Sequence, residues 1–241
     1  MPTRPMTTTA QQLNTAQLAI ANSLADPEIK AAVAQFGYTT AKLNAGKKLY
    51  DVALAAVNAQ KSGRGSQKTA TADLKAAEKA ARDAYQAAAQ VARATLDKDG
   101  LATLGLTGKE PRNTAGFIQA GYTLFDNAAD SGLLSDFGYD ETRLAEERAK
   151  IEAFDQANQA QEMAKGAAQQ ATQDQDAALT KMNEWVAQYV KIAKVALRGK
   201  KQSLEKIGVT ARTTKTTAQR AAPRRRRNDE KTWQVSIFKK A

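Results

Sequence analysis

Residues 36–43 read FGYTTAKL, and residues 137–144 read FGYDETRL. Further matches lie at the same offset of 101 positions. They pair Leu43 with Leu144, Gln60 with Gln161, Gly65 with Gly166, Thr71 with Thr172, Asp73 with Asp174 and Leu96 with Leu197. A period of this length is too long for the unit of a solenoid, and it predicts an internal duplication into two similar halves.

The duplication divides the chain into three predicted parts. The first helical repeat covers residues 1–110, the second covers 111–211, and a basic C-terminal tail covers 212–241. A short helix is expected over about 14–34, with a helix start at the Asp-Pro step at Asp26, because proline suits the first helical turn.

One long helical stretch is predicted in each repeat, at about 38–96 and 139–197. Thr39 or Thr40 suits the N-cap of the first stretch and Asp140 that of the second, because their short side chains can accept a backbone hydrogen bond. In the second stretch, apolar residues recur at heptad spacing. They are Leu144, Ile151, Phe154, Leu179, Met182, Val186, Tyr189, Ala193 and Ala196.

The middle of each long stretch is polar and contains glycine, at 62–66 (SGRGS) in the first copy and at Gly166 in the second. Glycine and serine in a cluster are typical of a turn. We therefore predict an all-α protein of tandem-duplicated helical hairpins that form an antiparallel four-helix bundle with additional short helices. The alternative is one unbroken helix in each repeat, which the uninterrupted heptad phase favours.

The missing residue types restrict the chemistry. The chain has no His and no Cys, which removes the usual general base, thiol nucleophiles, cysteine zinc sites and disulfides. The acidic residues of 141–155 are interspersed with Arg and Lys, as on a solvated helix face. The segment Gly105–Lys109 lacks the Walker A spacing and predicts a connecting turn. The sequence thus predicts a protein that is not an enzyme and that uses no cofactor or metal.

The aromatic residues are few, at 6% of the chain. Phe36, Tyr38, Phe137 and Tyr139 occupy equivalent places before the two long stretches, and we expect all four to lie in the core rather than to stack on nucleic-acid bases. Trp185 and Tyr189 are one helical turn apart and are predicted to be buried as well.

The net charge of +11 lies entirely in the C-terminal part of the chain. Residues 198–241 hold 14 Lys and Arg against 3 Asp and Glu, whereas residues 1–197 hold 22 of each. Within this neutral body, residues 31–98 sum to +6 and residues 131–197 sum to −4. Opposite charges on the two halves favour head-to-tail association of copies.

The tail contains Arg224, Arg225, Arg226 and Arg227 in succession. Four adjacent guanidinium groups must be solvated or bound to acidic side chains or phosphates. The following segment alternates apolar and polar residues, which is a strand pattern that needs a partner. We predict that it docks on another subunit or partner through Trp233, Val235, Ile237 and Phe238.

Similarity to other proteins adds to the fold prediction only. The chain resembles bacterial proteins with the same doubled pattern, through the segments at 106–112 (LTGKEPR) and 192–198 (IAKVALR). The resemblance spans most of residues 25–210 and implies a duplicated helical bundle without implying an activity.

Two functions follow from these observations. The first is a structural or scaffolding protein that assembles into a homo-oligomer or filament. The second is a nucleic-acid-associated protein whose Arg-rich tail binds phosphates without reading sequence; a weaker alternative treats the C-terminal end as a docking peptide for a larger complex. Neither a signal-peptide pattern nor a run of about 18 apolar residues occurs, so no membrane span and a cytoplasmic location are predicted.

Overall fold

The computed structural model describes residues 7–209, and this part of the chain is helical. Its helices are α1 (Thr9–Ala25), α2 (Pro27–Ala34), α3 (Thr40–Thr95), α4 (Lys98–Thr103), α5 (Thr114–Ser131), α6 (Glu141–Ala196) and α7 (Lys201–Lys206), with a 3-10 turn at Ser135–Phe137. No strand occurs within residues 7–209. The all-α class is confirmed, and the strand predicted in the tail lies outside the described residues.

The two long helices are continuous, so the predicted hairpins are wrong. α3 and α6 each run for 56 residues without interruption. Neither contains proline, so every backbone N–H beyond the first turn can join the helical hydrogen bonds, and a glycine costs only about 1 kcal/mol relative to alanine. Gly63 also lies against α6, because a Cβ atom there would be 3.5 Å from the Cα of Ala168. The four helices expected from two hairpins are two long helices instead.

The starts of the helices follow the predicted caps. The Thr39 hydroxyl accepts a hydrogen bond from the N–H of Lys42 at 3.4 Å, and Asp140 accepts one from the N–H of Arg143 at 2.8 Å. Asp26 caps α2, where Pro27 takes the first helical position. Short polar side chains thus satisfy N–H groups that the first helical turn leaves without partners.

The described chain forms two compact units. The first unit combines residues up to Tyr50 with residues from Met182 onward. Its buried apolar core consists of Ala19, Ile29, Val33, Tyr38, Leu43, Tyr189, Ala193, Leu197 and Ile207. Within it the fully buried hydroxyl of Ser23 is hydrogen-bonded to that of Tyr189, which satisfies both polar groups inside the core.

The second unit comprises Asp51–Lys181. A row of aromatic side chains crosses its core: the ring centroids of Tyr85 and Phe117 are 5.3 Å apart, and those of Phe117 and Phe154 are 6.0 Å apart. Both contacts are edge-to-face, which is a favourable arrangement of aromatic rings. The remaining large buried members of this core are Leu104, Leu106, Ile118, Leu124, Phe125, Leu134, Tyr139, Leu144 and Ile151.

Each unit draws on segments from both predicted repeats. The first contains α1, α2 and the start of α3 together with the end of α6 and α7; the second contains the rest of α3, α4, α5 and the start of α6. The sequence boundary at residue 110 therefore lies inside the second unit. Within the described helices, none combines the length and apolar character needed to cross a membrane.

Candidate functional surfaces

The site predicted from the tail lies outside the described residues. Arg224 to Arg227, Trp233, Val235, Ile237 and Phe238 all follow residue 209, where the description ends. Their binding to acidic groups, phosphates or another subunit stays a prediction. Candidate functional features within residues 7–209 must therefore come from the helices and turns.

The turn before each long helix is built in the same way in both units. Gly37 and Gly138 both have φ of +81°, a left-handed conformation that glycine adopts without steric cost. The next residue closes the turn, because the N–H of Tyr38 bonds to the Val33 carbonyl and that of Tyr139 to the Leu134 carbonyl. This is the Schellman pattern, in which the closing residue packs against the preceding helical turn.

The aromatic residues of these turns divide into buried and exposed pairs. Tyr38 and Tyr139 are buried, at 3% and 2% exposure, as predicted. The prediction is wrong for Phe36 and Phe137, which are 46% and 45% exposed. Because the chain turns at Gly37 and Gly138, the tyrosine that follows each glycine is buried. The phenylalanine that precedes each glycine faces solvent.

The exposed phenylalanines are unusual among the exposed apolar side chains. The other large exposed apolar residues between 7 and 209 are Leu18, Val52, Leu54, Met163 and Val195. None of them has an exposed large apolar residue 101 positions away, since Val52 aligns with Ala153 and Met163 with Ser62. In this part of the chain only Phe36 and Phe137 form a matched pair, with one member in each unit.

The buried tyrosines have a raised pKa. Burial raises the pKa of Tyr38, Tyr85, Tyr139 and Tyr189 above the ordinary value of 10.0. At Tyr189 the hydrogen bond with Ser23 opposes this effect without overcoming it. These phenols therefore remain protonated at neutral pH and serve packing and internal hydrogen bonds.

Some acidic residues of α6 pair with neighbouring cations. Glu147 pairs with Lys150 at 2.6 Å, and Arg148 bonds to Asp126 at 2.6 Å and approaches Glu152 at 3.7 Å. Among residues 7–209, no group of three or more acidic side chains is arranged to hold a metal ion. The acidic segment of α6 is thus a largely exposed helix surface on which Glu147 and Glu152 are ion-paired.

Four cations share one face of α3 in the second unit: Lys61, Arg64, Lys68 and Lys75. At 100° per residue they fall within a sector of about 60°, and at 1.5 Å per residue they extend over about 21 Å. All four are exposed, and none forms an ion pair with the described residues, whereas Lys79 and Arg82 further along α3 pair with acidic residues. We call this set the cationic face.

A shallow groove of about 420 Å³ follows the cationic face. Its lining comprises Arg64, Gln67, Lys68, Thr71, Ala72 and Lys75. This lining, which lies wholly within the described helix α3, includes no aromatic side chain and no carboxylate. The groove therefore offers positive charge without an apolar or base-stacking surface.

The cationic face has no counterpart on α6. The positions 101 residues later are Glu162, Lys165, Gln169 and Asp176. There Lys165 approaches Glu162 at 3.4 Å. The charge of this face therefore distinguishes α3 from α6, although the two helices have equal lengths.

Comparison with known proteins gave no match to any family model, any curated protein or any solved structure. The candidate surfaces consequently depend on the chain's own geometry. The sequence did not predict the cationic face, because the turn predicted at 62–66 would interrupt it. The spacing of the four cations, at three, four and seven residues, is the pattern that places them on one side of a continuous helix.

Proposed function

We propose that this protein is a non-enzymatic scaffold that assembles with copies of itself. The observation that carries the proposal is the matched pair of exposed phenylalanines, Phe36 and Phe137, one on each compact unit. Two equivalent contact points on one chain permit growth beyond a dimer, because a bound copy still presents a second point.

The proposed contact is between the phenylalanine turns of neighbouring copies. Gly37 and Gly138 have the same φ, and the cation of Lys42 lies over the Tyr38 ring at 4.2 Å, as Arg143 lies over the Tyr139 ring at 4.2 Å. Such similar turns can each accept either turn of another copy. Burying a phenylalanine side chain contributes about 1.5–3 kcal/mol, so a single contact is weak and assembly depends on concentration.

The equal lengths of the two long helices and the similar order of the elements around them support an origin by duplication. In both halves a helix is followed by a shorter element, a 56-residue helix and a six-residue helix; the shorter element is the eight-residue α2 in the first half and the 3-10 turn Ser135–Phe137 in the second. An ancestral unit with one phenylalanine turn would then have acquired a second by duplication. We propose this origin by duplication together with the assembly through the phenylalanine turns.

Light scattering after size exclusion tests the phenylalanine contact. We expect the full chain to form species larger than a dimer, F36S or F137S to stop at dimers, and the double variant to remain monomeric. M163S, which removes a 70%-exposed side chain without a matched partner, is the control and should assemble as the parent does. Assembly that persists in the double variant would contradict the proposal.

The tail is proposed to strengthen assembly by meeting a neighbouring subunit. In this proposal Trp233, Val235, Ile237 and Phe238 bury against the neighbour, and Arg224 to Arg227 contact acidic side chains. Truncation after Ala222 leaves both described units intact and should reduce assembly most at low salt, because charge contacts are screened over about 8–10 Å near physiological ionic strength. Equal assembly with and without the tail would remove it from the proposal.

Nucleic-acid association through the same arginines is the second candidate. The charge of +11 concentrated after residue 197 supports it, since clustered cations bind phosphates without reading sequence. Adding duplex DNA separates the two candidates: a scaffold assembles without DNA, whereas a protein of the second kind changes size only with it.

A further inference from the structure

We propose that the cationic face of α3 is a binding site for the phosphate backbone of duplex nucleic acid. The proposal concerns the helical body and goes beyond both the assembly contact and the arginines of the tail. It depends on the placement of charge, because residues 1–197 sum to zero and their net charge indicates no polyanion partner.

The first argument is that the cations are free to bind. Lys61, Arg64, Lys68 and Lys75 lie in line on an exposed face and make no ion pair among the described residues. The acidic residue nearest to them in sequence, Asp73, lies on another side of α3, in a groove formed with alanines of α6. Four unneutralised charges over about 21 Å of helix repel one another, and an anionic ligand relieves that repulsion.

The second argument concerns the kind of anion. Duplex DNA carries one negative charge per about 1.7 Å of axis, so a row of about 21 Å meets several phosphates at once. The groove lacks aromatic side chains, which a site for single strands uses to stack bases. The charged row thus matches the backbone of a duplex and reads no sequence.

Other anionic partners fit the face less well. A membrane-binding helix inserts large apolar residues beside its cations, whereas the one large apolar residue of α3 between Lys61 and Lys75 is Leu74, which packs against the core of the second unit. The acidic side chains of α6 on a second copy are the remaining rival. Glu147, Glu152 and Glu162 already have cations within 2.6–3.7 Å, which reduces the charge they offer to a neighbour. The other acidic side chains of α6 have no ion pair with the described residues, so the test below includes this rival.

The test measures binding of a fluorescein-labelled random-sequence DNA duplex of about 25 base pairs by anisotropy, over a salt series from 50 to 200 mM. The full chain is compared with a face variant carrying K61Q, R64Q, K68Q and K75Q, and with K165Q, which changes the corresponding position on α6. The same variants are measured with R224Q, R225Q, R226Q and R227Q, so that the four adjacent arginines of the tail no longer contribute.

We expect the face variant to flatten the slope of log affinity against log salt by about 3 to 4, at about 0.9 for each phosphate that the protein no longer neutralises. In the tail variant, the four contacts of the cationic face should account for a fall in affinity of about 100-fold between 50 and 200 mM, and the face variant should lose this part of the salt dependence. K165Q should leave both quantities unchanged. Circular dichroism checks that the face variant keeps its helix content.

An unchanged slope in a folded face variant would overturn the proposal. A face variant that loses assembly while keeping its DNA affinity would also overturn the proposal. That result would indicate that the cationic face contacts acidic side chains of α6 on a second copy. Equal, face-dependent binding to phosphatidylserine vesicles would assign the face to membranes instead. Repeating the measurement with F36S and F137S separates this proposal from the assembly proposal, because the face should bind DNA whether or not the chain assembles.

Discussion

Gly46 on α3 lies directly against the indole of Trp185 on α6: a Cβ atom at Gly46 would lie 2.4 Å from two ring carbons. The indole also stacks on Tyr189, with ring centroids 5.3 Å apart and 17° between the planes. The close approach of backbone to ring therefore requires glycine at this position.

Substituting Gly46 should destabilise the first unit. G46A places a methyl group inside the ring's contact distance, and we expect a loss of about 1–3 kcal/mol in the free energy of unfolding, as for other overpacked cores. The matched control is G65A, a helical glycine with nothing within 4 Å of its added Cβ. That change should stabilise α3 by about 0.5–1 kcal/mol, since alanine favours the helix. Urea unfolding followed by circular dichroism measures both; a neutral G46A would show that the indole moves freely.

Separating the chain at residue 110 should yield two fragments that fold poorly alone. Tyr189 and Leu197 pack in a core with Ile29 and Tyr38, and all four are buried there although a cut at 110 divides them between fragments. We expect 1–110 and 111–241 each to show lower helix content than the intact chain, and mixing them to restore it. Independent, fully cooperative unfolding of either fragment would contradict this expectation.

Alkaline pH should weaken the fold through the buried tyrosines. Burial raises the pKa of Tyr85 in the folded state, so above pH 10 the unfolded chain releases this proton while the folded chain retains it. The folded chain then binds more protons, and the free energy of unfolding falls as pH rises through about 10. In Y85F this fall should be shallower, which urea unfolding at pH 8 and 10.5 can measure. Identical pH dependence in the parent and the variant would show that Tyr85 does not contribute.

Asp26 combines a cap with an ion pair, and two substitutions distinguish these roles. Its carboxylate accepts from the N–H groups of Glu28 and Ile29 and lies 2.8 Å from Lys206. D26N keeps a capping acceptor and removes the charge, whereas D26A removes both, so D26A should be the more destabilising.

The pH dependence of Asp26 checks the ion pair. The hydrogen bond with Lys206 and the capping bonds lower the pKa of Asp26 below 3.8. Its stabilising contribution is therefore present above that value and is lost as the pH falls through the lower folded-state pKa. Thermal melts between pH 2 and 6 should show this loss in the parent and not in D26N. Equal acid sensitivity would show that other carboxylates dominate.

The sequence alone predicted the helical class, a cap at Thr39 or Thr40 and one at Asp140, and the heptad positions of α6, of which all but the half-buried Ala196 are buried. These features depend on neighbours within one or two helical turns, so local patterns determine them. Burial of Tyr38 and Tyr139 was predicted for the same reason, from their places beside the start of an apolar period.

Only the tertiary structure decided that α3 continues as a helix through Gly63 and that Phe36 is exposed. Glycine permits both a turn and a helix at a cost of about 1 kcal/mol, and contacts with Ala168 on a distant part of the chain are enough to favour the helix. Phe36 has the composition of a core residue, but the left-handed turn at Gly37 buries Tyr38 and leaves Phe36 in solvent. The helix at Gly63 depends on contacts between residues far apart in sequence, and the exposure of Phe36 depends on the backbone geometry of the turn; a pattern of residue types contains neither.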